Sequence, residues 1–140
     1  MHLLSPKKLS LSTKKCSKIH MGNKQSQAKC PDLKVNSELI KSSDKEKYLG
    51  DYISKKGNSK ETIKERNNRG DAILSNMRAI MQDIPLGSKK TQIGLILRQA
   101  WFINGCFFNS EIWTGVNDND LKYLTIIDYK ILRLIIGAQA

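Results

Sequence analysis

What most constrains this chain is a 3-and-4 spacing of residues that begins near its middle. From Asn58 onward, Ile63, Asn67, Gly70, Leu74, Met77, Met81 and Ile84 recur every three or four positions. That rhythm places them on one stripe of an α-helix. Asn58 with Glu61 three residues on has the spacing of a capping box, and Pro85 with Gly87 ends the helix. A second helix is expected from Ser88 through Leu95, Leu97, Ala100 and Trp101 toward Phe107. It is apolar nearly all round, as a helix enclosed by partners would be. After Trp113-Thr114-Gly115, Asn117 and Asp118 offer N-caps for a third helix from about Asp120 to Ile136. Leu121, Leu124, Ile127, Ile131, Leu134 and Ile135 form its apolar side, and Gly137 falls where a C′ glycine belongs.

Upstream of Asn58 the pattern shortens. KKCSKIHM (residues 14–21) alternates, with Ile19 and Met21 able to face inward, so a short strand is expected there. Gly22-Asn23 and the polar residues to Ala28 read as a loop. LKVNSELIK sets two apolar pieces around Asn36-Ser37, a turn-compatible pair, and reads as a small hairpin or meander. Lys47 to Ser54 reads as a further strand, followed by Lys55-Lys56-Gly57. The expected fold class is therefore α+β: a few short antiparallel strands in residues 1–57, then about three helices in residues 58–140.

Charge follows the same boundary. Residues 1–70 hold 17 Lys+Arg and 7 Asp+Glu, whereas residues 71–140 hold 7 and 6, so +10 of the net +11 lies in the first half. Such a footprint attracts polyanions, nucleic acid first and anionic membrane second. Lys14, Lys15, Lys18, Lys45, Lys47, Lys55, Lys56, Lys60, Lys64, Arg66 and Arg69 are the cations expected to line this surface and neutralise phosphates. The competing reading is a merely solvated basic face. The longest apolar-rich run, Ile93 to Phe108, is interrupted by Arg98, Gln99 and Asn104 and falls short of a membrane span. MHLLSPKK has too short an apolar patch for a secretory signal. Three scattered cysteines argue for a reducing, intracellular setting, nucleus or cytoplasm, and against a disulfide framework.

No complete active site is legible. Cys16, His20 and Cys30 give C-x3-H-x9-C, which lacks the short paired knuckles of zinc sites and an obvious fourth ligand. A catalytic thiol has no recognisable setting. Glycine signatures for phosphate cradles are absent. Asp118 and Asp120 are better explained as helix caps than as metal carboxylates. The aromatic residues Trp101, Phe102, Phe107, Phe108 and Trp113 lie in the apolar half and read as core. Within DKEKYLGDYISKKG (residues 44–57), the tripeptide Tyr48-Leu49-Gly50 fits either an edge strand held for packing or a nucleic-acid-binding hairpin.

The order of these features resembles the end of a reverse transcriptase, most closely the non-LTR (LINE-like) retrotransposon class. The resemblance is carried by LSTKKCSKIHMG, KEKYLGDYIS, a helix with Ile63 and Arg66, IPLG, GLILRQAWFINGCFFNSEIW and DLKYLTIIDYKILRLIIGA. It runs from about Leu9 to Ala140. By that resemblance, Lys15 with Cys16 matches the palm strand after the catalytic turn, and Tyr48, Leu49 and Gly50 match the primer grip. Glu111 with Trp113, and Leu132 with Arg133, match packing positions of the helical thumb. The resemblance implies primer-template binding by an RNA-directed DNA polymerase that uses Mg2+. It adds as partners the missing fingers and palm. The Tyr-x-Asp-Asp turn is not in this sequence, so no catalytic residue and no metal ligand carries over, and inactivity of this chain alone is expected. Two rivals stand beside it: a free-standing basic nucleic-acid-binding protein without enzymatic activity, and a fragment with no present function.

Overall fold

The structure, a computed structural model, describes residues 11–22 and 31–138. Cys30, the N-terminal patch and most of the polar loop after Gly22 lie outside the described residues.

The architecture is α+β, with short strands first and helices after. A 3-10 turn, Thr13–Lys15, leads into β1 (Ser17–Lys18). β2 (Lys34–Val35) and β3 (Glu38–Leu39) form the expected hairpin, with Asn36 and Ser37 both at positive φ in the two-residue turn. β4 (Lys41–Ser42) pairs with β1 in parallel, through Ser17↔Lys41 and Lys18↔Ser42. Among the described residues, one of the three strand pairs thus departs from the antiparallel expectation. Parallel pairing is possible because the connection between β1 and β4 is long enough to cross over. The alternating strand expected over residues 14–21 shrinks to β1, with Ile19 half-buried and Met21 55% exposed.

The largest correction among the strands concerns Lys47 to Ser54. It is two antiparallel strands, β5 (Lys45–Tyr48) and β6 (Asp51–Ser54), joined at Leu49-Gly50. Leu49 has φ 50° and Gly50 φ 91°, the positive φ at both central positions that tight hairpin turns of the I′ type need. Leucine rarely adopts this conformation, which is why the turn is not evident from residue type.

Three long helices form the rest of the described residues. α1 spans Lys60–Met81 and buries Thr62, Ile63, Arg66, Gly70, Leu74, Met77 and Met81, the stripe read from the spacing with Arg66 in place of Asn67. The expected Asn58–Glu61 capping box is not used. Ser59 is the N-cap residue, and the Asn58 side chain accepts from the Lys60 N–H at 3.3 Å. The start of α1 is pinned instead by a distant loop: Ser59 N–H donates to the Thr114 carbonyl, and Thr114 N–H donates to Ser59 Oγ.

α2 (Ser88–Leu97) continues through a π-helical segment, Arg98–Ile103, into a last turn, Asn104–Cys106. It is not enclosed as expected: Leu95, Ile96 and Trp101 are exposed, whereas Gly94, Phe102 and Cys106 are buried. Two neighbouring helices can cover only one side of a third. α3 (Asp118–Ile136) opens with a reciprocal capping box between Asn117 and Asp120 and closes at Gly137. The cap reading of Asp120 therefore holds.

The core lies between α1, α2 and α3. Leu74, Met77, Met81, Phe102, Cys106, Leu124, Ile127, Ile131 and Ile135 form one buried cluster. Each large apolar side chain so buried stabilises the fold by about 1.5–3 kcal/mol before entropy is counted. Gly94 sets the close approach of α2. A Cβ there would stand 2.6 Å from Ile135 and 2.8 Å from Met81. Arg98 and Asp128 tie α2 to α3 through two bonds of 2.6 Å, a bidentate pair that holds the guanidinium charged by hydrogen bonding.

Candidate nucleic-acid interface

The hairpin β5–β6 lies alongside the first half of α1, and its register assigns every side chain to one of two faces. Cross-strand partners project from the same face. Lys47 pairs with Tyr52 and Lys45 with Ser54, which makes one face. Tyr48 pairs with Asp51 and Glu46 with Ile53, which makes the other. The β6 edge meets α1 directly, where the Tyr52 N–H donates to Thr62 Oγ1 at 2.8 Å.

The lysine face is largely neutralised from within. Lys45 Nζ bonds Glu61 at 2.8 Å and Lys47 Nζ bonds Glu65 at 2.5 Å, and both ammonium groups lie over the Tyr52 ring. The Glu61 hydrogen bond raises the Lys45 pKa, and the same bond lowers that of Glu61. Lys55 pairs with Asp44 at 2.7 Å, Lys60 with Asp120 at 3.7 Å, and Lys18 with Asp32 at 3.9 Å. A phosphate arriving at any of these must compete with a carboxylate already in place.

Arg66 is not a surface cation at all. It is 2% exposed and donates to three oxygens at 3.1 Å: Asp51 Oδ1, the Gly50 carbonyl and the Gly105 carbonyl. The phosphate-contact reading of Arg66 is therefore wrong. Its position on the buried stripe of α1 takes it inward, where it needs a carboxylate partner, and Asp51 supplies one. Arg69, exposed on the next turn, also donates to the Gly105 carbonyl, so two guanidiniums converge at the end of the α2 helix. Cations there satisfy carbonyls that the helix leaves unpaired.

Lys14, Lys15, Lys56 and Lys64 are exposed and form no ion pair with a described carboxylate. They and Arg69 are the nominated cations most available to a partner. Tyr48 and Leu49 are 64% and 72% exposed, so the tripeptide is a projecting tip rather than a packed strand. The tip leans on the turn after α2: Asn109 Nδ2 donates to the Leu49 carbonyl at 3.4 Å. Phe108 beside it is 55% exposed, which corrects its reading as core. Phe102, Phe107 and Trp113 do pack, with Phe107 edge-on to Phe102 and stacked on Trp113. Of the thumb-like positions, Trp113 packs, Leu132 is half-buried, and Glu111 and Arg133 are exposed.

The thiol and metal readings gain nothing. Cys106 is buried, and burial pushes its pKa up to about 11, which leaves it a protonated thiol near neutral pH. Among the described residues no group of three or more His, Cys, Asp or Glu is placed to hold a metal ion. The described carboxylates therefore do not converge as a Mg2+ site requires. Among the described residues no helix is long and apolar enough to cross a membrane. Comparison with protein-family models, with curated proteins and with solved structures finds no match.

Proposed function

We propose that this chain is the primer-grip edge and thumb of a retrotransposon-type reverse transcriptase, which binds primer-template nucleic acid and does not polymerise by itself. The observation that carries the reading is the hairpin tip. Tyr48-Leu49-Gly50 projects from a hairpin braced against a helical bundle, in the order the resemblance requires. Leu49 is both exposed and held at φ 50°. Neither state favours folding, so a contact role for the tip gives a reason for both. Lys15, Lys56, Lys64 and Arg69 supply exposed cations for backbone phosphates. Such a partner is met in the nucleus or cytoplasm, and the fingers and palm of the same polymerase would complete the catalytic centre.

The test is titration of a labelled RNA–DNA primer-template hybrid at low and high salt, with a parallel primer-extension reaction in Mg2+. Saturable binding that weakens with salt, and no extension, is expected. Extension by the purified chain would overturn the claim of inactivity. The alternative, a free-standing basic nucleic-acid-binding protein, draws support from the self-contained helical core. Exposed Leu95 and Ile96 on α2 favour the fragment instead, because an independent domain gains nothing by leaving them in water.

A further inference from the structure

The face of the hairpin opposite the paired lysines carries exposed Tyr48 and Ile53, with exposed Glu46 across from Ile53 and buried Asp51 across from Tyr48. Asp51 projects toward Arg66, so its cross-strand partner Tyr48 projects to the same side. Phe108 lies there too, its ring 4.0 Å from where a Cβ on Gly50 would stand. Ile53 continues this face and, with Met21 and Ile112, lines one shallow recess. Tyr48, Phe108, Ile53, Met21 and Ile112 are each between 41% and 64% exposed. Cations bracket the patch: Lys56 shares a recess with Met21 at one end, and Arg69 holds the Gly105 carbonyl at the other. A partner that suits this surface carries negative charge along its length and flat apolar faces beside it. Unpaired nucleotides have both properties, whereas duplex backbone has only the first.

We infer that this face is a stacking platform for unpaired bases, with Tyr48 and Phe108 as the rings and Lys56 and Arg69 on the flanking phosphates. The inference rests on the nucleic-acid reading above and adds to it a preference for single-stranded segments. Base stacking of this kind tolerates any sequence, because every base has a π-face.

The test compares a labelled oligothymidylate of roughly ten nucleotides, within the range such sites span, with an abasic backbone of the same length and charge. Binding of the base-bearing strand is expected to be tighter, on the order of tenfold for each base stacked. Tyr48→Ala and Phe108→Ala should each weaken the base-bearing strand more than the abasic one, and Tyr48→Phe should retain the preference. Equal affinity of the unmodified protein for the two strands would overturn the platform while leaving salt-dependent backbone binding intact. Alanine variants that weaken both ligands to the same degree would overturn it as well. Absence of saturable binding to either strand and to the primer-template hybrid would remove the platform and the parent reading together.

Discussion

Removing Arg66 should cost this fold more than removing any other cation nominated from the sequence. Its guanidinium carries three hydrogen bonds of 3.1 Å, one to the Asp51 carboxylate and two to backbone carbonyls in separate elements. Arg66→Met would leave a carboxylate that is 8% exposed without its counter-charge, beside two orphaned carbonyls. Breaking one partner of a buried ion pair costs about 3–5 kcal/mol. The low end applies here, because Arg66 Nε and Asp51 Oδ2 make no hydrogen bond among the described residues and the pairing is monodentate. A loss of about 3 kcal/mol is expected in urea unfolding followed by far-UV circular dichroism. Adding Asp51→Asn to Arg66→Met should recover roughly 1 kcal/mol or more, since the stranded charge is gone. Arg66→Lys, which keeps the charge but cannot span all three oxygens, should fall between. A loss under about 1 kcal/mol for Arg66→Met, within the range of exposed ion pairs, would refute the buried tie between hairpin and helices.

Two further perturbations probe the core. Gly94→Ala should destabilise the fold by about 1–3 kcal/mol through overpacking, although alanine is the better helix former, because its Cβ meets Ile135 and Met81; thermal unfolding checks the sign. Burial raises the Cys106 pKa from 9.0 to about 11, so the folded state holds the proton more tightly than the unfolded chain. That contribution is fully present below pH 9 and is lost as pH rises through 11. Stability of the unmodified protein relative to Cys106→Val should therefore fall by about 2–3 kcal/mol across that window, measured by urea unfolding at each pH.

The helices were legible in the sequence because their stabilisation comes mainly from one apolar stripe, and a 3.6-residue period writes that stripe into the chain. Ile63, Leu74, Met77 and Met81 are buried as the spacing requires. Arg66 was legible in the same way: it lies three residues after Ile63 and four before Gly70, on the stripe itself. Its place in a run of basic residues masks that position. Other features depend on contacts across long sequence separations. The start of α1 is fixed by Thr114, 55 residues from Ser59, so a search for local caps finds the wrong pair. The hairpin turn at Leu49-Gly50 uses a residue type that turn chemistry disfavours, and packing against α1 and Asn109 holds it. Neutralisation of Lys45 and Lys47 by Glu61 and Glu65 appears only once the hairpin register sets two strand positions opposite two turns of helix.

The most direct measurement is the salt dependence of primer-template binding in two paired variants. Lys56→Gln with Lys64→Gln removes cations that form no ion pair with a described carboxylate. Lys45→Gln with Lys47→Gln removes cations already paired to glutamates. The slope of log K against log salt reports the number of phosphates neutralised, about 0.9 per contact on B-form duplex. The first pair should reduce that slope by roughly 2, and the second pair should reduce it less. A slope near zero for the unmodified protein, or one that neither pair alters, would contradict backbone binding by this surface.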